Sequence, residues 1–136
     1  MKLLLLLLVL FTNTVLSQTY VIEQYKNEYD VYYTNINSGY NYLHIKNDSL
    51  FIDVDLHGET ILISGKIFKS KLTHIKCGKI YKYKVENKFY PKKVNINVYI
   101  IDGNVSIEIY KHFSRFEDIK FEARIADKKD IKRLKL

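Results

Sequence analysis

Residues 94–111, VNINVYIIDGNVSIEIYK, contain two alternating apolar and polar runs joined by Asp102-Gly103. An Asp-Gly pair between such runs is typical of a two-residue type I′ turn, because Gly adopts positive φ angles without a Cβ clash. The turn sets a register that puts the aliphatic residues of both runs on one face. The predicted pairs on that face are Ile100 with Val105, Val98 with Ile107, and Ile96 with Ile109. The stretch therefore predicts an antiparallel hairpin with one buried face.

Residues 40–69 repeat this pattern in three runs, which Asn47-Asp48 and His57-Gly58 separate. The runs are Tyr40–Lys46, Ser49–Leu56 and Glu59–Lys69. If each separator forms a two-residue turn, both hairpins bury the same face of the three runs, and the two turns are assigned independently of each other. The predicted pairs are Ile45 with Leu50, Leu43 with Ile52, Ile52 with Ile63, and Val54 with Ile61. This agreement predicts a β-meander.

The other segments have weaker patterns. Thr19–Ile36 has an ambiguous period, and its Val, Ile and Tyr content favours strands broken near Asn27. Leu72–Lys79 is irregular and fits a connector, a helical turn or part of a strand, whereas Ile80–Glu86 alternates as a strand does. Pro91 cannot donate to a ladder, so residues 87–93 are predicted to connect two strands.

The C-terminal region gives conflicting signals. Ser114 to Glu117 spells a helix capping box, but Ile119 to Ile125 alternates, and we favour a strand there. The charged residues 127–136 are expected to add an edge strand or to fray. About eight short strands with tight turns predict an all-β domain, as a small antiparallel up-and-down barrel or a two-sheet sandwich.

The first 17 residues, MKLLLLLLVLFTNTVLS, have one Lys, an apolar run and a small final residue. This pattern is typical of a secretory signal peptide cleaved after Ser17. The apolar run is shorter than the ~20 residues of a membrane-spanning helix, and no later stretch is long enough. The sequence thus predicts a leader over residues 1–17, one β-rich domain over 18–136 without a transmembrane helix, and a secreted or periplasmic location.

Cys77 is the only cysteine, so no internal disulfide is possible, and we expect it to be a small buried hydrophobe. The net charge of +7 is unevenly distributed. Residues 18–65 contain two Lys against seven acidic residues, whereas residues 66–136 contain 19 Lys and Arg against eight. An acidic first half and a basic second half are expected to form separate surfaces.

A candidate metal site lies at Asp53, Asp55 and His57, because residues two apart on a strand share a face. Carboxylates and an imidazole can together bind a divalent cation, although solvent-facing residues of a half-buried strand give the same pattern. His44 would lie diagonal to Asp53, as in an acid–base pair. The sequence has no nucleophile motif and no phosphate-binding glycine loop, so no catalytic residue and no cofactor are assigned.

The candidate ligand-binding segment is residues 79–93, KIYKYKVENKFYPKK, where Lys alternates with aromatic residues. Lysines can neutralise anionic groups and exposed rings can stack on sugars or bases, although simple strand alternation also explains the pattern. The candidate residues are Lys79, Tyr81, Lys82, Tyr83, Lys84, Lys92 and Lys93. For an exported protein, the expected partner is lipopolysaccharide, an acidic polysaccharide or another envelope component, and not intracellular nucleic acid.

Three functions follow from these patterns. The first is an exported, non-enzymatic domain that binds a small ligand or a partner. The second is an envelope-associated module that binds anionic polymers through its basic second half. The third is a small metal-dependent hydrolase that uses the Asp53 and His57 region.

Overall fold

The computed structural model of the chain describes residues 17–26, 32–33, 41–56, 59–89, 92–111 and 119–136. This part of the chain is almost entirely β-structure and ends in one short helix. The elements are β1 (Ser17–Lys26), β2 (Tyr32–Tyr33), β3 (Tyr42–Lys46), β4 (Ser49–Leu56), β5 (Glu59–Ile75), β6 (Gly78–Asn87), β7 (Lys93–Ile101), β8 (Asn104–Lys111), β9 (Ile119–Ile125) and α1 (Lys128–Leu134).

Eight antiparallel strands close into an up-and-down barrel, which decides between the two predicted architectures. Each strand from β3 to β8 pairs with the next in sequence, and β1 closes the sheet by pairing with both β3 and β9. The short strand β2 extends the β3 side of β1 by pairing with Tyr25 and Lys26. Closure leaves no free edge where β1 meets its two neighbours.

The hairpin that decides the fold is confirmed residue by residue. Asp102 and Gly103 both have positive φ, at 51° and 80°, as a type I′ turn requires. Strands β7 and β8 pair in the predicted register, and their aliphatic face is buried, with Ile100 only partly so. The opposite face is polar: Glu108 accepts hydrogen bonds from the hydroxyls of Tyr99 and Tyr110 and lies 3.3 Å from Lys120 Nζ.

The meander is confirmed as well. Strands β3, β4 and β5 pair in the predicted register, and the core residues of all three face the barrel interior. Asn47 takes a positive φ of 57° in the first turn, while residues 57–58 of the second turn lie outside the described residues. Most of the barrel interior is filled by side chains with less than one tenth of their surface exposed, namely Tyr20, Ile22, Leu43, Ile45, Leu50, Ile52, Val54, Ile63, Val85, Val94, Ile96, Val98, Val105, Ile107, Ile109 and Phe121.

The weaker predictions had mixed outcomes. Strands are confirmed at β1, β6 and β9, so the alternation of residues 119–125 predicted the structure there. The competing capping box at residues 114–117 lies outside the described residues, as do Tyr90 and Pro91 of the predicted connection. The irregular segment 72–79 proves to be the end of β5, a turn at Lys76-Cys77, and the start of β6.

Two expectations are wrong. Cys77 is exposed, because it lies in the β5–β6 turn beyond the barrel interior, and not buried. Residues 127–136 form α1 and not an edge strand. Asp127 caps this helix by accepting a hydrogen bond from the Asp130 backbone N–H, and the Asp130 carboxylate accepts one from the Asp127 N–H. This reciprocal pair is a capping box, which stabilises the first helical turn.

Candidate binding cleft

Strand β5 changes neighbours along its length, and this change forms a concavity among the described residues. Its first half pairs with β4, from Glu59 to Lys66, and the Ile67 N–H then donates to the Asp48 carbonyl oxygen at 2.6 Å. Beyond that point β4 has turned away and β5 pairs with β6 alone. We call residues Phe68–Ile75 the β5 arm.

A β-bulge marks the start of the β5 arm. The register between β5 and β6 shifts by one residue between Ile67 and Lys69, so Phe68 is the extra residue. A bulge bends its strand and increases the local twist. The β5 arm therefore diverges from the β3–β4 turn, and a gap opens between them.

The gap is a cleft of about 500 Å³ that opens to solvent. The β5 arm and β6 form one wall, and the β3–β4 turn and the ends of β1 and β3 form the other. The residues that line it are Gln18, Ile45, Asn47, Asp48, Ile67, Phe68, Lys69, Ser70, Lys71, Leu72, Tyr81 and Tyr83. Its size is in the range of small-molecule sites, and aliphatic and aromatic side chains supply much of its surface.

The rings of Tyr81 and Tyr83 stack in this wall, with centroids 6.2 Å apart and planes inclined by 3°. They lie on the inner face of β6, because they alternate with outward-facing Lys82 and Lys84. Burial, and then the nearby Tyr81, raise the pKa of the Tyr83 hydroxyl to about 12. The Tyr83 hydroxyl is therefore a neutral donor at neutral pH.

Tyr20 pairs with Leu43, two residue pairs along the ladder from the cleft residues Gln18 and Ile45. Its side chain is fully buried, and its hydroxyl has no hydrogen-bond partner among the described residues. Burial, followed by the neighbouring Tyr83 and Tyr81, raises the pKa of this hydroxyl well above its usual range. An unpartnered buried hydroxyl is costly in a folded protein. It was not predicted from the sequence, because alternation places Tyr20 inward but does not show what its hydroxyl meets.

The predicted ligand-binding residues divide between two faces. Tyr81, Tyr83 and Lys79 share the inner face of β6, whereas Lys82 and Lys84 lie on the outer face. Lys93 faces outward beside Glu86, its cross-strand partner, and Lys92 precedes β7. The lysines and tyrosines of residues 79–93 therefore do not form one mixed surface.

The outer face has a denser group of lysines than the sequence pattern showed. Lys69 lies directly opposite Lys84, and Lys71 directly opposite Lys82. We call these four residues the lysine square. All four are exposed, and none forms an ion pair with a described carboxylate. Like charges directly opposite each other destabilise a sheet, so the square is not explained by stability.

The candidate metal residues lie on the outer face of β4. Asp53 and Asp55 share that face, as predicted, while His57 is outside the described residues. Burial and the adjacent Asp55 raise the pKa of Asp53. No group of three potential ligands is found among the residues that the structure describes. The metal site remains a prediction.

His44 lies opposite Phe51, as the predicted register requires. Its Nδ1 shares a hydrogen bond of 2.7 Å with the Thr19 hydroxyl. Partial burial, and then Lys46, lower the pKa of the imidazole, which therefore favours the neutral form. A hydroxyl contact of this kind holds the ring in place and does not by itself activate a nucleophile.

No protein-family model matches this chain, and the curated proteins contain no relative detectable by sequence. Within the described residues, no helix is long and apolar enough to cross a membrane.

Proposed function

We propose that this protein is an exported, non-enzymatic β-barrel that binds a small ligand or a partner in the cleft beside the β5 arm. The observation that supports the proposal is the cleft itself: about 500 Å³, open to solvent and lined on one side by the stacked rings of Tyr81 and Tyr83. A concave, mainly apolar site with a few polar groups is the usual form of a ligand site. Export is supported by the leader pattern of residues 1–17.

The cleft can be tested with 8-anilinonaphthalene-1-sulfonate, whose rings suit the apolar wall and whose sulfonate suits the neighbouring lysines. Phe68 lines the cleft and is 52% exposed, so Phe68→Ala should remove part of the wall without disturbing the core. Losing about half of a Phe contact is expected to weaken dye binding about fivefold.

Phe89 gives a matched control, because it is 45% exposed and does not line the cleft. Phe89→Ala should leave the dissociation constant of the dye unchanged within experimental error. Equal dye binding by the wild type and both variants, measured by fluorescence titration, would count against the cleft as the site.

A second candidate function rests on the lysine square. Four ammonium groups on one face, without an ion-pair partner among the described residues and flanked by Lys93, match the charge of an acidic polysaccharide or lipopolysaccharide. Glu86, which lies opposite both Lys66 and Lys93, limits the positive surface on one side. The proposal is that an anionic envelope polymer binds across β5 and β6.

Changing Lys69, Lys71, Lys82 and Lys84 together to Gln should lower the salt concentration at which the protein leaves a heparin column. Lys128, Lys129, Lys132 and Lys135 form a control set of equal charge on and beside α1. If the two quadruple variants elute together, net charge alone explains retention and the square is not a site.

A further inference from the structure

The cleft-facing side of the β5 arm has no neighbouring strand in the part of the chain that the structure describes. Pairing between β4 and β5 stops at Lys66, and the Ile67 N–H makes the last backbone bond across that boundary. From Phe68 to Ile75, β6 is the only described strand beside β5. Unpaired N–H and C=O groups on such an edge are a ready template for another strand.

The register shows which backbone groups of the β5 arm bond to no described strand. The Asp102 N–H donates to the Cys77 carbonyl at 3.0 Å, so the backbone groups of Cys77 point towards the β7 side. Successive residues of a strand alternate in this direction, and the N–H and C=O groups of Gly78 therefore point towards β5. Gly78 pairs with Ile75, so these two residues form a hydrogen-bonded pair. Such pairs recur at every second residue, and the backbone groups of Ile75, Thr73 and Lys71 therefore bond to β6. The N–H and C=O groups of Ser70, Leu72 and His74 then point away from β6. We call these three residues the free edge.

The free edge lies along the cleft, since Ser70 and Leu72 line it. The side chains of the free edge share the inner face with Tyr81 and Tyr83, and Leu72 is 44% exposed there. The side chains of Lys69 and Lys71 are on the outer face. A strand added here would have one row of side chains against an apolar wall and the other row beside lysines.

This arrangement disfavours a second copy of the chain as the occupant. Two antiparallel β5 arms paired edge to edge and centred on Ser70 or Lys71 would place at least one lysine directly opposite a lysine of the other copy, and like charges in such pairs are destabilising. Lysines on an edge strand are a known means of preventing such self-pairing. The same lysines would instead attract carboxylates on the neighbouring strand.

We infer that the free edge of the β5 arm receives an extended peptide segment of a partner protein, in which acidic residues alternate with apolar ones. The inference rests on the proposed function, because it names the occupant of the same cleft. The acidic side chains of the added strand lie beside Lys69 and Lys71, and its apolar side chains enter the cleft against Leu72. Backbone hydrogen bonds to Ser70, Leu72 and His74 hold it in register.

The test uses a fluorescein-labelled peptide, Thr-Glu-Val-Glu-Val-Glu-Thr, and fluorescence anisotropy. Two further peptides are N-methylated, one on its Glu amides and the other on its Val amides. Because the N–H groups of a strand alternate in direction, only one of these two sets can face the free edge. We expect one methylated peptide to bind at least about tenfold more weakly and the other to bind normally. A peptide with Lys in place of Glu should not bind.

The protein variant Ser70→Pro with His74→Pro removes two N–H groups of the free edge and no ladder bond to β6. The control, Ser70→Ala with His74→Ala, removes the same side chains and keeps the N–H groups. The proline variant should lose peptide binding while the alanine variant retains it. If the proline variant does not fold, the two methylated peptides still decide the question with the wild-type protein.

Several results would overturn the inference. They are the absence of acidic peptide binding, equal binding of both methylated peptides, and a concentration-dependent dimer that the proline variant abolishes. Dye binding distinguishes a failure of the peptide inference from a failure of the proposed function. If Phe68→Ala weakens dye binding but the peptide tests fail, the cleft binds a small ligand and no strand; if both fail, the proposed function fails too.

Discussion

At the scale of single residues, Tyr20 shows that a buried position is not always a stabilising one. Its ring fills the core, whereas its hydroxyl is buried without a partner among the described residues. The ring contributes through burial, and the hydroxyl has lost its hydrogen bonds to water without replacement. The residue therefore combines a favourable contribution with an unfavourable one, next to the proposed binding cleft.

Tyr20→Phe should leave stability unchanged or raise it by up to about 1 kcal/mol, because it removes the unsatisfied group and keeps the ring. Tyr99→Phe is the control, since the Tyr99 hydroxyl donates to Glu108 at 3.1 Å, and it should cost about 0.5–1.5 kcal/mol. Urea unfolding measures both. A loss above about 1 kcal/mol for Tyr20→Phe would show that its hydroxyl is bonded in solution.

Two glycines should respond to alanine in different ways. Gly103 has a φ of 80° in an open turn, so Gly103→Ala should cost about 1 kcal/mol through backbone strain alone. A Cβ on Gly65 would lie 1.8 Å from the Glu86 carbonyl oxygen, where β5 passes between β4 and β6. Gly65→Ala must displace backbone and should cost several times more. Equal urea unfolding midpoints for the Gly103→Ala and Gly65→Ala variants would contradict this difference.

The residue-level predictions succeeded where local chemistry dictates geometry. Asp102-Gly103 fixed the register of β7 and β8 because few other residues accept positive φ. The expectation for Cys77 failed because burial depends on where a strand leaves the barrel, which its neighbours in sequence do not encode. Two residues of the lysine square, Lys82 and Lys84, were in the predicted ligand-binding segment. Their cross-strand partners Lys69 and Lys71 were not, because they lie on another strand.

At the scale of elements, α1 is held to the barrel by one carboxylate. Asp130 is buried and accepts two hydrogen bonds from the Arg124 guanidinium, at 2.5 and 3.0 Å, while it also closes the capping box with Asp127. Arg124 lies on β9 and also contacts Glu23 of β1 at 2.8 Å. The helix is thereby tied to the pair of strands that closes the barrel.

The hydrogen bonds from Arg124, and then that from the Asp127 backbone, hold the pKa of Asp130 far below its ordinary value of 3.8. The ionised form is therefore favoured by folding, and its contribution is present above pH 4 and disappears as the pH falls further. Asp130→Asn should cost about 1–2 kcal/mol at pH 7, with the partial exposure of Arg124 limiting the effect. The difference between wild type and variant should shrink below pH 4; a constant difference in urea unfolding would contradict it.

The sequence did not predict α1 for a definable reason. The usual capping box ends in Glu or Gln, whereas here the shorter Asp130 fills that position, and only seven residues of helix follow. Such a short helix depends on tertiary contacts more than on propensity. The length of β5 was missed for a related reason, since Lys76-Cys77 lacks the residues that mark a tight turn.

At the scale of the whole molecule, the strand order follows the sequence, apart from the closing pair β1 and β9. Neighbouring strands in an up-and-down meander can be paired from sequence, because each turn sets the next register. The contact between Tyr20 and Ile125 joins residues about a hundred positions apart, and no local pattern encodes it. The sequence therefore predicted the strands and left barrel and sandwich open.

The same topology gives each of the two differently charged halves its own run of neighbouring strands, and the halves meet where β1 pairs with β9. The acidic half of the chain forms β1 to β4 and the start of β5, while the basic half forms the β5 arm and the strands after it. The cleft lies where these halves diverge, beside the free edge and within reach of the lysine square. The departure of β5 from β4 is a property of the whole fold, and it forms the cleft. No sequence motif predicted this cleft.

The central claim is that the cleft is bordered by an unpaired strand edge, and amide hydrogen exchange followed by NMR tests it without any ligand. We expect the amides of Ser70, Leu72 and His74 to exchange rapidly, while those of Lys71, Thr73 and Ile75 are protected by their bonds to β6. Equal protection along the β5 arm, with no alternation, would show that the edge is already occupied and would contradict the account.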